Sequence, residues 1–217
     1  LGYMIYCLGI TPESILTVTY TVAATNDMRR RFAGMFGEAD AERLEFRTIN
    51  GISQKGLQYF AYRTGKTPFQ VADKEASAAV KQSFLEVTGK YATENDIKET
   101  QLDITYAKNM RLTPEKIRDM DTDVEKFPEI FRTYNAKLRQ MQMIDYDDQM
   151  IYALRILEQY PEVLAHFREQ YRYFCVDEAQ DTSRIQHAII ALLAAGTGNL
   201  IRTKLIKHHF TLFMNIC

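Results

Sequence analysis

With 217 residues, 46% hydrophobic and 25% charged, the chain has globular composition and the length to bury a core, which excludes a disordered or low-complexity segment. A formal net charge of −1 excludes a uniformly basic nucleic-acid binder but leaves room for a local basic groove. The three cysteines, Cys7, Cys175 and Cys217, lie far apart with no CxxC pair, which reads as reduced thiols of a cytoplasmic protein rather than a disulfide framework or zinc site.

Taken in chain order, residues 1–10 (LGYMIYCLGI) are apolar but carry no basic n-region or small-residue cleavage site, and are too short to span a bilayer. Residues 1–8 read as the tail of a helix. Thr11, Pro12 and Glu13 then form a helix-start signature of N-cap, first-turn proline and dipole-favouring acid. Residues 15–20 (ILTVTY) have β-branched and aromatic strand composition. A helix is predicted over 23–36, with Arg29, Arg30 and Arg31 in a row, and a second strand over 44–50 (LEFRTIN), closed by Gly51. Residues 53–143 contain no evident strand. Val80, Phe84 and Val87 share one helical face there, and Phe127, Ile130, Phe131, Tyr134, Leu138 and Met141 share another. Thr113-Pro114-Glu115 opens a further helix. Helices are predicted over 146–160 and 162–171, a strand over 173–176, and a helix over 183–195 capped by Asp181 or Thr182. Strand–helix alternation at both ends with helices between them predicts an α/β sheet domain interrupted by a helical insertion. Residues 201–217 carry Arg202, Lys204 and Lys207 but no acid and no helical stripe. His208 and His209 are adjacent, so on a strand they point to opposite faces, which reads against a shared metal site.

The chemistry is concentrated at YFCVDEAQDT, residues 173–182, where an apolar strand ends in Asp177 and Glu178. Open α/β sheets bind ligands outside the carboxyl ends of their strands, and a pair of acids delivered there has the form of a Walker B element. The first acid can hold Mg²⁺ directly or through water, and the second can deprotonate an attacking water. The plainer reading makes the pair the start of a loop. Asp145, Asp147 and Asp148 are read as helix-start acids rather than a second metal cluster, and Gln186 as a surface or packing residue.

Four colinear segments carry a resemblance. VDEAQDTSRIQ (176–186) resembles VDExQDTxxxQ, motif II of the UvrD/Rep-type superfamily 1 DNA helicases. VTYTVAATNDMRRRF (18–32) is similar to their motif Ia, VTFTNKAAxEMxxR, with Val22-Ala23 in place of Asn-Lys. RTINGIS (47–53) resembles the following TxHSF segment, with Asn50 in place of His, and IDYDDQM (144–150) the DFDDL segment. The resemblance covers residues 1–200. It implies an α/β fold, a partial RecA-like P-loop NTPase domain: residues 1–53 and 144–200 of a motor domain, a helical insertion over 54–143, and a divergent tail at 201–217, read as an aberrant or out-of-frame ending. It implies ATP and Mg²⁺ as cofactors. Asp177 would hold the metal, Glu178 activate water and Gln180 sense the nucleotide state. Thr19, Tyr20, Thr21, Thr48 and Asn50 would contact single-stranded DNA near duplex junctions. Tyr20 is otherwise read as a core strand residue, and the arginine run as a solvated helix face.

The only Gly-Lys-Thr, Gly65-Lys66-Thr67 within YRTGKTPF, is rejected as a phosphate loop: position 60 is Phe, no strand precedes it, and Pro68 follows. In the family GxGKT lies one helix before the ILTVTY strand, so this chain is expected to start inside that helix and not to hydrolyse ATP or unwind DNA alone. The parent activity implied is ATP-dependent 3′-to-5′ unwinding. Two alternatives stay open: a non-catalytic module binding single-stranded DNA or protein, and a piece of a helicase–nuclease subunit.

Overall fold

The computed structural model describes residues 1–179, 182–206 and 209–214, with side chains described through Arg202. The chain divides into two compact units, Leu1–Phe60 with Ala153–Cys217, and Ala61–Tyr152.

In the first unit, helix α1 (Gly2–Tyr6) and a 3-10 turn (Pro12–Ser14) lead into strand β1 (Ile15–Thr19). Thr11 stands at the N-cap of that turn but makes no side-chain cap; its carbonyl instead accepts the Ser14 hydroxyl at 2.6 Å. Helices α2 (Val22–Phe36) and α3 (Glu38–Arg43) connect β1 to strand β2 (Glu45–Thr48). The second strand thus ends two residues before the predicted Asn50. The Thr48 hydroxyl accepts the Gly51 amide at 3.0 Å, and this N-cap begins helix α4 (Ile49–Thr64), so Gly51 opens a helix rather than closing a strand. β1 pairs in parallel with β2 and with β5 (Tyr173–Val176), and all five of its residues are buried. A strand flanked on both sides in a parallel sheet has no solvent face, hence its apolar and β-branched composition. One face carries Ile15 and Phe46, packed with Met4, Phe32, Ala41 and Leu44 from the preceding helices. The opposite face carries Leu16, Val18, Phe174 and Val176, each at most 2% exposed.

The second unit builds its own core. It comprises β3 (Gln70–Val71), α5 (Lys74–Thr88), α6 (Glu94–Asn109), α7 (Pro114–Arg118), α8 (Phe127–Gln140) and β4 (Met143–Ile144), with the flanking ends of α4 and of α9 (Tyr146–Gln159). Val80, Phe84, Phe127, Ile130, Tyr134 and Leu138 are buried together, with Val87 and Phe131 partly buried against them, as the stripes predict; Met141, at the C-cap of α8, is instead 42% exposed. β3 and β4 form a parallel two-residue pair, an unpredicted strand contact too short to produce an alternating pattern. Thr113 caps α7 through the Lys116 amide as its sequence predicts.

The chain returns through α9, α10 (Pro161–Gln170) and β5 to helix α11 (Arg184–Ala194) and strands β6 (Leu200–Ile206) and β7 (His209–Met214). The sheet order is β2-β1-β5-β6-β7, parallel except for β7, which runs antiparallel to β6. The tail residues 200–206 and 209–214 are therefore strands, which their composition did not announce. Lys207 and His208 lie outside the described residues. This is an α/β fold with a mainly helical inserted unit. No helix among the described residues is long and apolar enough to cross a membrane.

Candidate functional site

Three parallel strands deliver the candidate residues to one sheet edge. The register sets Val18 opposite Val176 on one side and Thr19 opposite Thr48 on the other, so the chain leaves β1, β2 and β5 at the same level. The Asp177 amide donates to the Val18 carbonyl at 3.0 Å, continuing the ladder one residue past β5 before the chain turns. Asp177 and Glu178 are both half-buried. Glu178 adopts φ +50°, the left-handed region that a residue with a Cβ rarely occupies. Behind it the Thr182 hydroxyl donates to the Ala179 carbonyl at 2.8 Å.

Ser183, rather than Asp181 or Thr182, caps the next helix: its hydroxyl accepts the Gln186 amide, and its own amide donates to the Gln186 side chain at 3.0 Å. Gln186 thus has a structural task. Ile185, Ile189, Ile190 and Leu193 anchor α11 in the interior, fixing the far side of the acidic turn. Gln180 and Asp181 lie outside the described residues.

The β1 exit is a knot of hydroxyls. Thr19 is 2% exposed; its oxygen lies 2.6 Å from that of Thr25, and both lie near the Thr21 carbonyl, at 3.1 and 3.0 Å. Each hydroxyl has one proton, so one donates to the carbonyl and the other donates to its partner. Thr19 therefore turns its hydroxyl inward and does not present it to a phosphate. The Thr21 hydroxyl accepts the Ala24 amide at 3.1 Å and caps α2. Tyr20, between them, is 58% exposed and no core residue. Thr48 is occupied as the α4 cap, while the half-buried Asn50 has a buried Oδ1 with no hydrogen-bond partner. Of the predicted DNA contacts, Tyr20 and Thr21 are exposed, Thr48 and Asn50 are half-buried and Thr19 is buried. In the arginine run, Arg30 and Arg31 pair with Asp27 and Arg29 lies over the Phe46 ring, so the run is an exposed, self-paired helix face.

Two adjacent carboxylates at a strand's carboxyl end fit Mg²⁺, a hard cation that takes one or two carboxylates alongside water and phosphate oxygens. No group of three or more His, Cys, Asp or Glu able to hold a metal occurs among the described residues. The acids at 145–148 have a different partner. The Asp145 Oδ1 accepts the Asp148 amide at 2.8 Å, as a helix-start acid should. Buried Lys108 donates to Asp145 at 2.6 Å and to Asp148 at 2.8 Å, and Tyr134 donates to Asp145 at 2.7 Å. Asp147 accepts from Thr105 at 2.9 Å and from Asn109 at 2.8 Å. The cation at this cluster is the lysine. Its sequence signal lay in α6, where Thr100, Ile104, Ala107 and Lys108 fall on one helical stripe.

Gly65-Lys66-Thr67 follows the carboxyl end of α4, with Gly65 at φ +66° and the Lys66 amide donating back to Ala61 at 3.0 Å. A phosphate loop needs the amino end of a helix, and this is the opposite end.

A mainly parallel α/β sheet with paired acids at the carboxyl edge of a central strand, interrupted by a helical unit, has the form of a RecA-like motor domain. Residues 1–203 match the UvrD/REP helicase N-terminal domain, and the chain belongs to that family. It is 27% identical over 203 residues to an ATP-dependent DNA helicase PcrA of Leuconostoc citreum, covering 92% of this chain and 27% of that protein. It is 29% identical over 207 residues to a probable DNA helicase II homolog of Mycoplasma capricolum (92% and 28%), and 25% identical over 203 residues to a PcrA of Staphylococcus aureus (92% and 28%). The chain spans little more than a quarter of the length of these relatives.

Proposed function

We propose that this chain supplies the acidic, DNA-facing part of the first motor domain of an ATP-dependent DNA helicase that moves 3′ to 5′ along single-stranded DNA. The observation that carries this reading is the shared exit of β1 and β5. That exit puts the Tyr20 turn and the Asp177-Glu178 pair on one sheet edge, where a change at the nucleotide can be felt at the DNA. Asp177 is the residue to hold Mg²⁺, which would neutralise charge on the phosphate oxygens. The Glu178 carboxylate orients the attacking water and accepts its proton. Gln180 senses whether the terminal phosphate is present. The exposed Tyr20 ring stacks on a base, and Thr21 meets the adjacent backbone.

These 217 residues contain no GxGKT, the source of the amide cradle and lysine for the phosphates. The chain alone is therefore expected to bind single-stranded DNA without turning over ATP. Its test is a pair of measurements on the purified chain: oligonucleotide binding as a function of salt, and phosphate release with and without DNA. Salt-sensitive binding weakened by Tyr20→Ala, with no phosphate release, is the expected result. DNA-stimulated turnover removed by Glu178→Gln would overturn the claim of inactivity, and the absence of DNA binding would overturn the assignment of the edge.

A further inference from the structure

The rejected Gly-Lys-Thr segment has a different use. We infer that residues 62–69 (YRTGKTPF), in the second unit, form a second contact for single-stranded DNA, separate from the Tyr20 turn. Residues 62–70 are exposed without interruption, yet the run holds two large aromatics, Tyr62 at 82% and Phe69 at 58% exposure. Single exposed rings are ordinary on protein surfaces. This pair is set apart by the charge of its own stretch of chain. About one residue in eight of the chain is acidic, but no Asp or Glu occurs between Glu45 and Asp73, and the exposed run itself carries Arg63 and Lys66. Charge complementarity selects a polyanion, and flat exposed rings beside cations select one whose bases are unpaired and free to stack.

The segment is also held in shape before any ligand arrives. Lys66 N–H closes the turn onto the Ala61 carbonyl at 3.0 Å, Gly65 supplies the left-handed residue that turn requires, and Pro68 fixes the next backbone angle. Phe69 stacks on Tyr152 at 5.9 Å and 19° and still remains exposed. A platform ordered in advance loses little entropy on binding. In this arrangement Tyr62 and Phe69 offer stacking faces, and Arg63 and Lys66 meet phosphates. The inference rests on reading the chain as part of a DNA motor, and its experiment keeps the two apart.

The probe is a fluorescein-labelled oligo-dT of about 20 nucleotides, longer than the roughly 4–16 nucleotides one such groove covers, read by anisotropy on the whole chain. Tyr62→Ala is expected to raise Kd about fivefold or more, with Tyr62→Phe retaining the affinity. Arg63→Gln combined with Lys66→Gln should make the slope of log K against log salt shallower by about 1.4, about 0.7 per lost phosphate contact. Thermal melts of these surface variants should match the parent. If Tyr20→Ala weakens binding while the Tyr62, Arg63 and Lys66 variants bind with unchanged Kd and slope, the sheet-edge reading stands and this inference falls. If the unaltered chain binds no oligonucleotide, both fall.

Discussion

The amide of Asp177 donates to the carbonyl of Val18 at 3.0 Å, which ties the first residue of the acidic turn to the last buried apolar residue of the neighbouring strand. Val18 is 2% exposed and followed directly by Thr19 and the exposed Tyr20. A displacement of either turn therefore pulls on the other through one backbone hydrogen bond, without any side chain between them. Under the proposed function this hydrogen bond is a short route from the acids to the DNA contact, and it depends on backbone rather than on residue identity.

Glu178 stands at φ +50°, where an L-residue gives up roughly 1–2 kcal/mol relative to its right-handed form and glycine does not. Glu178→Gly and Glu178→Ala both delete the carboxylate, so their difference isolates the backbone. Urea denaturation should find the glycine variant more stable than the alanine variant by about 1 kcal/mol. Equal stability would mean the left-handed turn is not held in solution. In a longer chain that includes a phosphate loop, Glu178→Gln should preserve the fold and lower ATP turnover by about 10²-fold or more, the scale of a lost general base.

The knot at the β1 exit predicts that either hydroxyl can stand in for the other. Thr25→Val keeps the shape and removes one hydroxyl, leaving Thr19 to donate to the Thr21 carbonyl, so the cost should be about 1 kcal/mol. Thr19→Val should cost a similar amount, because Thr25 then donates to that carbonyl. The double variant leaves the carbonyl no hydroxyl donor and should cost about 2 kcal/mol, both hydrogen bonds being lost. A single variant as costly as the double in a urea double-mutant cycle would show that the remaining hydroxyl does not take over.

β1 and β5 were legible because strands buried on both faces read as unbroken apolar and β-branched runs, and the acids behind β5 mark its end. The end of β2 was not, because Ile49 continues the strand pattern while Thr48 already serves as a helix cap. Three cap-forming residues stand in a row at 181–183, and residue type alone does not choose among them. Gln186, three residues after Ser183, is the capping-box partner that would have decided it. The inward turn of Thr19 was hidden because its partner Thr25 stands where the resembling motif Ia pattern has alanine. Lys108 lies 37 residues from Asp145, and no local pattern reports a pairing across that interval.

Asp147 carries a carboxyl raised above its ordinary range, chiefly by burial, against which the hydrogen bonds from Thr105 and Asn109 act only in part. A carboxyl raised in the folded state favours folding fully below its unfolded pKa of about 3.9, and that contribution is lost as pH rises through the native value. Asp147→Asn cannot ionise, and its amide can still accept from Asn109 while donating to the Thr105 hydroxyl. The variant should therefore gain stability relative to the parent as pH rises from about 4 towards neutrality. Urea melts across that range supply the check, and a stability difference that stays constant with pH would refute the assignment.

Lys108 is 5% exposed and bridges two carboxylates, one of them at the cap of α9, with Tyr134 completing the shell around Asp145. Burial pushes the Asp148 carboxyl up while the lysine pulls it down. Removing the cation alone leaves two buried acids facing each other, a situation that costs about 3–5 kcal/mol when a buried ion pair loses one partner. Lys108→Met should therefore destabilise the chain by about that amount, despite filling similar volume with an apolar side chain. Adding Asp145→Asn and Asp148→Asn removes the uncompensated charge and should restore part of the loss, so the triple variant is expected to be more stable than Lys108→Met. A single-variant cost below about 1 kcal/mol in urea, or no recovery in the triple, would mean that the acids find another counter-charge and that the lysine is not what holds the start of α9 in place.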